Sequence, residues 1–142
     1  MKKNLFIITI LSFICLATSA QPKIEPELQQ ALSSRSSEMI SINIVLNEQI
    51  NTTLLKSKTF LIKDAEIRKG LIVKELKAYS KDNQSDILDF LKAEEAKNCV
   101  ANIKSHWIAN SICCDATKDV IEKLTQYNNI EVIGLNLLGS VL

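Results

Sequence analysis

VANIKSHWIANSICCDATKDVIEKLTQYNNIEVIGLNLL, Val100 to Leu138, decides the fold, because strand, turn and helix signals follow one another in it without a gap. VANIKSHWI has strand character, with Ala101, Ile103, Ser105 and Trp107 on one face. Ala109-Asn110 permits a tight reversal, and SICCDA, Ser111 to Ala116, reads as a short strand of small and apolar residues. Thr117 is placed to cap a helix: its hydroxyl can accept a hydrogen bond from a first-turn N–H, and Asp119 suits the positive end of the helix dipole. Val120, Ile121, Leu124 and Tyr127 form the buried side of that helix, and Asn128-Asn129 ends it. IEVIGLNLL is a last strand, followed by the tail Gly139-Ser140-Val141-Leu142.

Upstream, MISINIVLNE alternates from Met39, with Ile40, Ile42, Ile44 and Leu46 on one face, and predicts another strand. QINTTLLKSKT has no regular period. From about Lys63 to Asn98 the period becomes helical: Ile67, Leu71, Ile72, Leu76 and Tyr79 make one stripe. KDNQS, Lys81 to Ser85, interrupts it, and Ser85 can cap a second run carrying Ile87, Leu88, Phe90 and Leu91. Two helices or one bent helix are expected.

The order β, long α, β-hairpin, α, β predicts an α+β domain over 39–138. Right-handed crossovers close it into a four-stranded antiparallel sheet with helices on one face, the split βαβ or ferredoxin-like plan, βαββαβ. The other sheet face stays open. Ile and Val from several strands are expected there, an apolar surface suited to a protein partner.

The first twenty residues, MKKNLFIITILSFICLATSA, combine two lysines, a short apolar run and a small-residue end. That is the pattern of a secretory signal peptide over 1–20, implying a secreted or periplasmic protein. Cys15 does not make it a lipoprotein signal, because bulky Ile14 precedes it. Residues 21–38, with Pro22, Pro26 and the Ser-rich SSRSS, read as a leader with a short helix from Pro26, lying on the domain or partly loose. The chain carries a net charge of +1, and loss of Lys2 and Lys3 with the signal leaves it slightly negative. No basic field suits nucleic acid, and no second apolar segment suggests a membrane after signal removal.

His106, Cys113 and Cys114 invite a metal or redox reading. No second His exists, the cysteines form no C-x-x-C pair, and alternation puts Cys113 and Cys114 on opposite faces. Cys99 leaves an odd count of three after residue 20. Adjacent cysteines also lie too close, about 3.8 Å between Cα atoms, for ordinary disulfide geometry. No nucleophile motif accompanies the one His, and the chain's three glycines cannot build a phosphate loop. A non-enzyme without metal or cofactor is expected, with Trp107 as a core anchor.

With the strands in place, residues 39–136 resemble the propeptide and inhibitor domain of subtilisin-like serine proteases. The resemblance rests on ISINIVLNEQ, on a charged helix with Arg68 and Ile72-Val73, on Leu88 and Leu91, and above all on IKSHWIANSICCDATKDVIEKLTQYNNIEVI. The helical segment Ser85 to Asn98 is similar to longer bacterial versions. The resemblance implies an inhibitor or folding chaperone whose open sheet face presses onto two protease helices. Its tail, Gly139, Ser140, Val141 and Leu142, would thread the substrate cleft with Leu142 nearest the catalytic serine. Family members carry acidic residues after the core of the last strand to cap those helices; here Gly134, Leu135 and Asn136 stand there, leaving Asn136 as a neutral cap. The protease's own Asp, His and Ser motifs are absent. A free-standing inhibitor and the N-terminus of a truncated protease both fit that absence, as does a binding domain of the same plan without inhibitory activity.

Overall fold

The computed structural model describes residues 23–34 and 38–137. The expected signal peptide and the tail residues Gly139, Ser140, Val141 and Leu142 lie outside them. The elements are β1 Lys23–Ile24, α1 Pro26–Ser34, β2 Ile40–Leu46, α2 Thr52–Thr59, α3 Ala65–Glu95, β3 Val100–His106, β4 Ser111–Ala116, α4 Lys118–Leu124 and β5 Ile130–Leu135. They form an α+β structure around one five-stranded mixed sheet of order β1-β5-β2-β4-β3.

The four expected strands stand as β5-β2-β4-β3, and each neighbouring pair among them is antiparallel. The fifth strand corrects the expectation. Lys23 and Ile24 pair in parallel with Val132 and Ile133, and the Glu25 N–H donates to the Ile133 carbonyl. The short helix expected from Pro26 is α1, and it lies on the domain with Leu28 and Leu32 buried in the core. Pro26 opens this helix, where its missing N–H removes no helical bond.

Core packing follows from strand alternation. Ile40, Ile42, Ile44 and Leu46 of β2 face inward, beside Ile112, Cys114 and Ala116 of β4. Ile87 and Leu91 of α3, Val120, Ile121 and Leu124 of α4, and the two leucines of α1 cover them. Each buried Ile, Leu or Val contributes roughly 1.5–3 kcal/mol, so β2, with all four inward residues buried, is the anchor of the sheet.

The irregular segment after β2 contains a helix. Asn51 caps α2, its side-chain oxygen accepting from the Leu54 N–H at 3.0 Å. A single continuous helix, α3, replaces the two expected. Asp64 accepts from the Glu66 and Ile67 N–H groups at its start. KDNQS contains neither Gly nor Pro, so nothing in it breaks the backbone. Ser85, expected to cap, instead sits mid-helix with its hydroxyl donating to the Asp82 carbonyl. The helix ends at Glu95, and the turn after it closes through Asn98, whose φ of 57° lies in the left-handed region, while the Cys99 N–H donates back to the Glu94 carbonyl.

Only the second half of α3 meets the sheet: its buried residues run from Ser80 to Glu94. The stripe Ile67, Leu71 expected to pack inward is exposed. At 31 residues the helix is about 46 Å long, and its first half stands off the domain with α2 beside it.

Candidate functional site

The open face is built by the outward residues of four strands. β2 presents Ser41, Asn43 and Val45, β4 presents Ser111, Cys113 and Asp115, β5 presents Val132 and Gly134, and β3 presents Ala101, Lys104 and His106. The expected apolar surface is therefore reduced to one cross-strand pair, Val45 opposite Val132. Small side chains dominate the rest. The face therefore forms a platform with few large side chains to hold another backbone away.

A bulge in β3 sets part of this face. Asn102, with φ 55°, is the extra residue where the register shifts between Ala101 and Lys104. It turns Ala101 outward, away from the inward side it was expected to share with Ile103 and Ser105. The Asn102 amide donates to Asp115 on the neighbouring strand at 2.6 Å.

A trough of about 350 Å³ crosses the platform diagonally, lined by Asn136, Asn43, Cys113 and Ser111, with His106 to Ala109 at its far end. Cys113 donates through Sγ to the Asn43 oxygen at 3.4 Å. Burial pushes the Cys113 thiol up from its ordinary value, with Lys104 pulling the other way. Cys114, on the opposite face in the core, is pushed up to about 12 by burial, then by Asp115 and Cys113. These thiols stay protonated and free, and among the described residues no group of three or more His, Cys, Asp or Glu is placed to hold a metal.

Asn136 sits at the trough's near end, where the chain leaves the sheet. Its N–H donates to the Ser41 carbonyl at 2.9 Å and its amide to the Ser41 hydroxyl at 3.4 Å. The tail expected to enter a protease cleft begins two residues beyond the described end at Leu137.

Trp107 is not a core anchor. β3 ends at His106, and Trp107 opens the turn, half-buried, with the Lys77 ammonium 5.4 Å from the ring centroid. That contact ties the turn to the middle of α3 by a cation–π attraction. The buried anchor of the hairpin is Asn110, with φ 41°, whose amide donates to the Glu48 carbonyl at 2.7 Å. Gln84 of α3 donates to the Asn110 oxygen at 3.1 Å and accepts from the Ser105 hydroxyl at 2.6 Å. Thr117 occupies the N-cap position of α4 with extended backbone, but its side chain makes no capping bond. Its carbonyl receives the Val120 and Ile121 N–H groups instead.

One residue of the face carries no mark in the sequence. The Glu25 carboxylate lies over Gly134, where any Cβ would collide with it. Gly134 leaves the space in which the exposed Glu25 carboxylate lies, although a Cβ there would meet only the movable end of that side chain. A two-residue strand has no period, so no pattern singles out Glu25.

Compared with known proteins, the chain is 26% identical over 133 residues to Bacillopeptidase F of Bacillus subtilis (strain 168). The match takes in 79% of this chain and only 9% of that protein. No family model and no solved structure matches. An α+β unit built on one five-stranded sheet is thus distantly similar to a small part of a subtilisin-like protease.

Proposed function

We propose that this is an exported, non-catalytic domain of ferredoxin-like plan that binds a subtilisin-like serine protease, as its inhibitor or folding chaperone. The observation that carries the reading is the match to Bacillopeptidase F over most of this chain but less than a tenth of the relative. The face supports it physically. Small outward side chains let a partner's helices lie close to the sheet, and the trough gives them a groove between Asn136 and Ile108. Glu25 supplies the negative charge that Gly134 and Asn136 cannot, and a helix N-terminus favours such a charge. Asn136 adds a neutral acceptor beside it.

The chain then leaves Asn136 toward Gly139, Ser140, Val141 and Leu142. An extended tail pairs with a cleft edge by backbone hydrogen bonds, and pockets for its side chains set the register. Because such a domain binds only the folded enzyme, it stabilises that state by mass action, which joins inhibition to chaperoning.

Inhibition of a subtilisin-like protease from the same organism is the direct test. Deletion of residues 139–142 is expected to raise the inhibition constant by two orders of magnitude or more, and Glu25→Gln by several-fold. An inhibition constant unchanged by the deletion would remove cleft threading. No inhibition of any such protease would leave the second reading, a binding domain or protease remnant without inhibitory activity. The near-absence of large apolar anchors on the platform favours that second reading, since such anchors usually carry interface affinity.

A further inference from the structure

The first half of α3 and all of α2 form an arm with no part in the platform. Leu55 and Thr59 of α2 are buried where it meets α3, and Lys58 pairs with Glu75 across the two helices at 3.3 Å. At the arm's tip the connection turns through Phe60 and Leu61, which are 81% and 85% exposed. Leu54 and Ile67, at 54% and 59%, continue the apolar surface on either side.

Charge is concentrated on the same arm. Residues 52–77 hold seven basic side chains and three acidic ones. Lys56, Lys63, Arg68 and Lys69 are exposed around the tip, with Asp64 and Glu66 among them, and the arm stays net basic whereas the rest of the domain is net acidic. An adjacent Phe-Leu pair on an exposed turn, flanked in sequence by Lys56 and Lys63 on a net basic arm, matches a fluid negative surface better than a fixed protein pocket. Lysine stems can lie along apolar material while their ammonium groups stay in water.

We infer that the α2–α3 tip docks on anionic lipid headgroups, with Phe60 and Leu61 entering the interface and the surrounding lysines holding the surface charge. Neither signal suffices alone. Two apolar side chains give only transient binding, and a few lysines on an anionic leaflet are weakened by salt, but together they anchor. This is adhesion and not spanning: among the described residues no helix is long and apolar enough to cross a membrane. It adds a membrane surface to a chain whose sequence suggested none after signal removal, and it is independent of any protease.

The test uses the chain from Gln21 onward, which contains every described core residue, and vesicles of phosphatidylcholine with or without phosphatidylglycerol. Co-sedimentation is expected only with the anionic vesicles, and it is expected to fall away as salt shortens the Debye length from about 10 Å toward 3 Å. Lys56→Gln with Lys63→Gln is expected to lower the partition coefficient at least about tenfold, because each basic residue at such a surface accounts for roughly a fivefold change. Phe60→Ser with Leu61→Ser is expected to lower it similarly. Both pairs are exposed, so an unchanged thermal midpoint reports an intact fold. Equal binding to neutral vesicles, or parental binding by either double variant, overturns the inference. So does a dimer in solution that Phe60→Ser with Leu61→Ser dissolves, since the tip then meets a second copy.

Discussion

Gln84 is the polar residue on which the docking of α3 turns. It is fully buried, and its two functional atoms join Asn110 and Ser105 of the hairpin. Gln84→Leu keeps the volume but strands the buried Asn110 oxygen, a loss of about 1–3 kcal/mol, readable as a lower urea midpoint with an unchanged slope. A second residue-scale effect belongs to Glu94. The hydrogen bond from Lys97 at 2.9 Å, opposed by burial and aided by Lys123, holds its carboxyl below the ordinary value. A depressed acid stabilises the fold above its unfolded value and loses that contribution as pH falls through the folded one. Thermal midpoints are therefore expected to decline from the ordinary carboxylate range downward, and Glu94→Gln to flatten that decline. Neither residue announces itself in sequence, because a Gln or Glu on a charged helix reads as solvated surface.

Elements differ in how openly the sequence declares them. β2, the hairpin strands, α4 and β5 carry clear period-two or helical apolar patterns, and each formed near its expected place. α2 is built from Thr, Ser and Lys with no stripe, and β1 is two residues long, so periodicity could reveal neither. Trp107 misled because its alternation with Ile103 and Ser105 is real, but the strand stops one residue too early to use it. The trough was illegible for a related reason: Asn43, Ser111 and Asn136 are ordinary outward residues until four strands set them side by side. The β1–α1 segment yields an element-scale prediction. Leu28 is fully buried, so Leu28→Ala is expected to cost about 2–5 kcal/mol in chemical unfolding. Destabilisation within about 0.5 kcal/mol would return this segment to the role of a loose leader.

Across the whole molecule, chain order and sheet order disagree in a useful way. β5, the last of the described elements in chain order, lies between β1 and β2, the first two strands, and pairs with both. Such distant pairings close slowly and late. A chain ended after Tyr127 is expected to lack a cooperative unfolding transition, although it retains most of the core residues. In the proposed role as an exported chain, threaded N-terminus first through a narrow pore, this interleaving would act as a built-in delay. The sheet would not lock until β5 arrived, and the chain would stay threadable while it was being passed across.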